Sequence, residues 1–235
     1  MTVFTVHSVE SAPEASREPL DELRRRVGFV PNLAGHIAGS PVAIDGFNQL
    51  QRALRESTLT AAEREVVGIA VSVANRCAWS VAAHSAFAER AGLAPEVIEA
   101  LRARKDDLAD ERATALAAFT RAILRSGGLV GRDELGAVLA AGYSGPQVLE
   151  VITQAAFTTM ANWVANVAGT PSTPPWRARP GTTTPEAGRG RPGMGRPMAA
   201  ARSRLPSEGS DQELGQVWRY SSIASPLGGG HRNRS

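Results

Sequence analysis

The chain is poor in several residue types: 235 residues contain one cysteine, Cys77, one lysine, Lys105, and only 5% aromatics. A lone thiol excludes a disulfide framework and fits a reducing compartment, so a cytoplasmic location is expected. The N-terminus Met1-Thr2-Val3-Phe4-Thr5-Val6-His7 lacks a basic segment followed by an apolar core and a cleavage site. No apolar run approaches the roughly 20 residues of a membrane span. No alternating run of β-branched residues is present, which argues against a sheet protein. Phosphate-binding loops are missing too: Gly188 to Gly195 is Arg-Pro-Gly repetition with no strand before it. His7, His36 and His231 have no cysteine or acidic partner at ligand spacing, so neither a metal nor another cofactor is expected.

Composition changes sharply near Pro171. Nine of the 15 prolines lie from there onward, and residues 172–235 carry ten arginines against four acids. That excess of six positive charges, set against a total of +3, leaves residues 1–171 at −3. The chain is therefore read as a helical domain over 1–171 and a low-complexity Arg/Pro/Gly-rich tail over 172–235, expected to be disordered. A basic tail of this kind can bind anionic surfaces loosely. Nucleic acid and membrane are nevertheless not expected partners.

What is abundant is alanine, leucine and valine at helical spacing. The pattern predicts helices over Leu20–Val27, Asn32–Ala38, from Pro41 to about Arg55, Thr60–Ala74, Arg76–Arg90, Pro95–Arg104, Asp110–Ser126, Arg132–Ala141, and from Ser144 to about Ala168. Ser40-Pro41, the capping box Thr60-x-x-Glu63 and the box Ser144-x-x-Gln147 mark three starts. Val66 to Val73 and Val148 to Met160 are apolar on more than one face, which predicts central burial or a second chain, and hence a homo-oligomer.

Chemistry-bearing residues concentrate around Cys77. On one helix Ser80 and His84 form an i, i+4 pair, whereas Cys77 and His84 share a face about two turns, roughly 10 Å, apart. Asn75 is read as the N-cap, which would place the thiol in a first turn whose unpaired N–H groups favour the thiolate. Glu65, on the preceding helix, completes a proton-relay set expected to converge on one pocket. Each residue also has a plainer reading: Cys77 as a small buried hydrophobe, Glu65 as a helix-dipole acid, His84 as a hydrogen-bonded core histidine, Trp79 as core filling. Serine catalysis at Ser80 would need an oxyanion hole and an orienter, and no Gly-x-Ser-x-Gly elbow occurs.

Glu65, Asn75, Cys77, Ser80 and His84 fall at the spacing of the Glu...Cys-x-x-Cys-x-x-x-His motif. In this the chain resembles the alkyl hydroperoxidase D and carboxymuconolactone decarboxylase superfamily, with Ser80 at the second cysteine position. Gly28-Phe29-Val30-Pro31-Asn32-Leu33, Ala91-Gly92-Leu93 and the segment from Asn162-Trp163 through Thr170-Pro171 agree, so the likeness spans about residues 20 to 171. The resemblance implies an all-α bundle, a homo-oligomer, and an internal duplication hinted at by the apolar helices around Cys77 and Phe157. In the peroxidase branch it implies a cycle in which the second cysteine attacks the hydroperoxide, the first resolves it, and Glu and His relay the proton.

Ser80 can form neither a sulfenic acid nor a disulfide, so that cycle cannot run within this chain. The leading expectation is a thiol-dependent hydroperoxide reductase with Cys77 as redox thiol, His84 as base acting through Ser80 or water, and Glu65 as its orienter. Its partners would be a hydroperoxide and an external thiol reductant. Two alternatives stay open: a non-redox decarboxylase-like enzyme using His84 and Glu65, and a catalytically silent oligomeric module.

Overall fold

Seven consecutive residues of helix α4 (Ala61–Ala74), Val66 to Ser72, are buried. That pattern is possible only where neighbours cover every side, and it sets the architecture of the computed structural model, which describes residues 3–171. The other helices are α1 (Glu14–Val27), α2 (Asn32–Ile37), α3 (Pro41–Arg55), α5 (Ala78–Arg90), α6 (Pro95–Arg102), α7 (Glu111–Ser126), α8 (Arg132–Ala140) and α9 (Gly145–Ala168). Among the described residues there is no strand. α4 packs against α5, α6, α7 and α9, while α1 lies on α3, and α2 and α3 lie on α9. The expected tail, 172–235, lies outside the described residues.

Two apolar clusters result. One gathers Val67, Ile69, Leu101, Leu116, Val138 and Val151 around α4, α6 and α7. The other joins Leu20, Leu33, Ile44 and Phe47 to Phe157 and Ala161 of α9, and includes Cys77. The rings of Phe47 and Phe157 meet at 4.8 Å between centroids. Each fully buried Val, Ile or Leu here contributes about 1.5–3 kcal/mol.

Caps account for the helix starts. Ser40 Oγ accepts from the Ala43 N–H ahead of Pro41. Thr60 Oγ1 accepts from the Glu63 N–H at 3.1 Å while Glu63 Oε2 accepts from the Thr60 N–H at 2.8 Å. Ser144 and Gln147 exchange the same pair of bonds. Glu63 has a second task, since its Oε1 accepts from Arg112 Nε at 2.8 Å, and the Arg112 guanidinium lies 3.9 Å over the Tyr143 ring. Burial pushes the Glu63 carboxyl up, but Arg112, the Thr60 donors and the nearby Tyr143 hydroxyl together hold it below the usual carboxylate range.

One helix start needs correction. α1 begins at Glu14 rather than at the expected Leu20, so Pro19 sits inside it. A proline this early forfeits only its bond to the exposed Ala15, and its own carbonyl accepts from the buried Asn48 side chain at 2.8 Å. Of the two covers expected for the apolar stretch of α4, central burial or a second chain, its own bundle supplies the first. α9 is different: Leu149, Ile152, Val167 and Trp163, the last 62% exposed, leave an apolar side open. Among the described residues no single helix is long and apolar enough to cross a membrane.

Candidate functional site

The corner between α4 and α5 consists of Asn75, Arg76 and Cys77. Arg76 takes a left-handed φ of +54°. The Cys77 N–H returns to the Ser72 carbonyl at 2.9 Å and the Arg76 N–H to the Val73 carbonyl at 3.2 Å. These nested main-chain bonds form a Schellman closure, a job usually given to glycine, and holding arginine there costs on the order of 1 kcal/mol. Asn75, expected as N-cap of α5, is instead the C-cap of α4. The chain becomes extended only at Cys77 (φ −98°, ψ 90°), so the cysteine itself is the N-cap and α5 starts at Ala78 rather than Arg76. α9 secures the corner, Asn166 Nδ2 donating to the Asn75 carbonyl at 2.9 Å.

Cys77 makes no capping bond with its side chain. Its thiol donates to Ser80 Oγ at 3.3 Å, and both residues are 1% exposed. Around the sulfur lies the second apolar cluster, with Trp79 packed against it. One turn beyond Ser80, His84 Nδ1 donates to Glu65 Oε2 at 2.7 Å, the two side chains being 13% and 18% exposed. A carboxylate only accepts, so this bond puts the ring proton on Nδ1 and leaves the Nε2 lone pair of a neutral ring as a base. Phe87 turns its ring at 86° to the imidazole, 6.2 Å between centroids.

The four singled-out residues thus form two pairs, one at the entrance of α5 and one that joins the next turn of α5 to α4. Among the described residues neither Cys77 nor Ser80 hydrogen-bonds to His84, so the expected Ser80–His84 contact gives way to Cys77–Ser80 and His84–Glu65. The physical reason lies on both sides: the thiol holds Ser80 within the first turn, and the carboxylate draws the imidazole across to α4. Sequence reasoning missed the residue that makes room for it. Gly68 lies beneath the ring, and a Cβ built there would stand 2.5 Å from Nδ1 and 2.9 Å from Cγ of His84. The available signal was a glycine in the middle of a helix, which costs about 1 kcal/mol against alanine and calls for a reason. Below it, Ser72 Oγ donates to the Gly68 carbonyl at 2.7 Å and lies 3.4 Å from Asn162 Oδ1.

Two clefts, of about 850 and 760 Å³, share Phe119 and Leu124 in their walls; Arg104 and Arg121 flank the first, Met160 and Trp163 the second. None of Glu65, Cys77, Ser80 and His84 lines either, so the single pocket expected around them is not one of these clefts. His36 lies apart, bonded through Nδ1 to Thr170 Oγ1 at 2.9 Å, with burial and the nearby His7 charge holding its imidazole below the usual range. Among the described residues no three His, Cys, Asp or Glu side chains gather as metal ligands.

Residues 41–122, which carry all four candidate residues, match the carboxymuconolactone decarboxylase family. No curated protein sequence matches the chain. The fold is similar to an alkylhydroperoxidase AhpD core, an uncharacterized peroxidase-related protein from Ralstonia eutropha JMP134, with TM-score 0.66, 23% identity, and 74% of this chain and 93% of that one covered. It is similar also to a peroxidase-related protein from Silicibacter sp. TM1040, with TM-score 0.63, 20% identity, and 74% and 92% covered. The debrominase Bmp8 superposes with TM-score 0.62 at 18% identity, covering 74% and 94%. At these identities the likeness is one of fold. Residues 41–122 therefore resemble the carboxymuconolactone decarboxylase family, and they sit in an all-helical fold similar to that of the alkylhydroperoxidase AhpD core.

Proposed function

We propose that the protein is a thiol-dependent peroxide reductase that works with one redox cysteine. The observation that carries this reading is the succession of two hydrogen-bonded pairs, Cys77–Ser80 at the entrance of α5 and, a turn later, His84 of α5 with Glu65 of α4. The peroxidase-related names of the fold neighbours support it.

In this reading the thiol proton passes from Cys77 through Ser80 or a water to Nε2 of His84, whose cationic form the Glu65 carboxylate stabilises. The thiolate attacks one peroxide oxygen; an S–O bond forms, the O–O bond breaks, and the departing alkoxide takes the proton from His84 and leaves as an alcohol. Cys77 is then a sulfenic acid. One external thiol displaces water from it to give a mixed disulfide. A second external thiol attacks that disulfide, releasing Cys77 and an external disulfide. Ser80 cannot replace the first of these thiols.

Peroxide consumption with dithiothreitol tests the reading. Wild type should turn over and Cys77→Ala should not; equal rates would end it. The debrominase neighbour, known also as a cysteine-to-alanine variant in complex with 2,3,4-tribromopyrrole, widens the assay to bromopyrroles, read by bromide release.

A second reading, a silent family member, is favoured by the burial of Cys77 in an apolar cluster. It requires iodoacetamide to label Cys77 at one rate in wild type and in His84→Ala. The first reading requires that rate to fall at least tenfold in the variant. Self-association is part of the proposal, supported by the open apolar side of α9. Light scattering should give a multiple of the chain mass, and Trp163→Glu should reduce it.

A further inference from the structure

We propose that Gly68 is a positioning residue for His84: the missing side chain at this place in α4 is what lets the imidazole lie flat on the helix and reach Glu65. The inference rests on the proton-relay reading of Glu65 and His84 for its functional meaning, but its geometry stands apart from the thiol chemistry.

α4 presents Glu65 and Gly68 on one face, a turn apart, and α5 lays His84 across both. The ring's Nδ1, Cε1 and Cγ would stand 2.5, 2.7 and 2.9 Å from a Cβ at residue 68. Carbon and its neighbours pack no closer than about 3.5 Å, so an alanine would drive the ring back by roughly 1 Å. A free imidazole would swing aside at little cost. This one is tied at 2.7 Å to a carboxylate on the same helix as the obstruction, so the ring cannot retreat from residue 68 and keep Glu65.

The backbone under the ring is itself fixed. Ser72 Oγ donates to the Gly68 carbonyl at 2.7 Å, and Ser72 packs beside the buried Asn162 of α9. α4 is enclosed over Val66 to Ser72, so the helix has no room to shift away from α5. The side chain must move instead. The expense of glycine in a buried helix thereby acquires a reason that core packing alone does not supply.

Three variants separate positioning from packing: Gly68→Ala, His84→Ala, and the two combined. In wild type, Gly68→Ala should lower the Tm and abolish the slowly exchanging Nδ1 proton of His84 in NMR spectra. In the His84→Ala background the same change should raise the Tm, because alanine is the better helix former once the ring is gone. Peroxide turnover in Gly68→Ala should fall about a hundredfold, as far as in Glu65→Ala, with no further loss when the two changes are combined. An unchanged ring proton in Gly68→Ala overturns the inference, and so does an equal Tm loss in both backgrounds or failure of the double variant to fold. If His84→Ala leaves Cys77 labelling and turnover unchanged, the peroxidase reading falls, while the ring proton and the Tm reversal still decide the role of Gly68.

Discussion

Glu65 and His84, nineteen positions apart on two different helices, are joined by a 2.7 Å hydrogen bond with less than a fifth of either side chain exposed. A bond so placed serves stability as well as any chemistry. Glu65→Ala strands a largely buried imidazole donor and should cost about 1–3 kcal/mol, measured by denaturant unfolding. His84→Ala should cost a similar amount, and the double variant well under their sum. Turnover in Glu65→Ala should drop about a hundredfold, the lower end of what a general acid–base group supplies.

Cys77 caps α5 without using its side chain to do so. Serine is a strong N-cap and alanine a poor one, so Cys77→Ser should be more stable than Cys77→Ala by about 1 kcal/mol. Both should lack peroxide turnover. Stability and activity then separate at one position, and a Ser variant no more stable than Ala would refute the capping argument.

Ser80→Cys would put a second sulfur where an oxygen already lies 3.3 Å from Sγ of Cys77. An S–S bond of about 2.05 Å needs only a small rotation from there. The variant should form an internal disulfide under mild oxidation, seen as a loss of two hydrogens by mass spectrometry and of two titratable thiols. Its turnover with dithiothreitol should exceed that of wild type, since resolution becomes intramolecular.

Acid stability should report Glu63 and His36. Both have folded-state values below the ordinary ones, so the unfolded chain binds protons more readily and stability rises with pH. The Glu63 contribution is complete above about pH 4.3, the ordinary glutamate value, and is lost as pH falls through the lower folded value. His36 behaves likewise from about pH 6.5 downward. Glu63→Gln, which keeps the capping box, should flatten the Tm profile only in the first window, and His36→Gln only in the second. Parallel profiles in wild type and variant would contradict either assignment.

Local signals carried much of this structure. Ser40-Pro41, Thr60-x-x-Glu63 and Ser144-x-x-Gln147 are short-range capping codes, and each opens its helix within a residue of where spacing places it. The corner at Asn75 was misread because nothing in an arginine advertises a left-handed turn; asparagine, the usual capping residue, drew the N-cap two places too early. The first helix was placed six residues too late, at Leu20 instead of Glu14, because the residues before Pro19 carry little apolar periodicity. The pairing of Glu65 with His84 was expected in outline from the motif spacing. Its geometric condition at Gly68 is a relation between two helices, and no window along one of them contains it.

The enclosure of α4 also has a kinetic meaning. Amides of Val66 to Ser72 have no route to deuterium through local fraying, so they should exchange only when the whole domain opens. Gly68 thus rides on the last segment to loosen, with Glu65 at its edge, whereas the sulfur sits at the entrance of α5. Whatever motion admits a reactant must come from the α5 side.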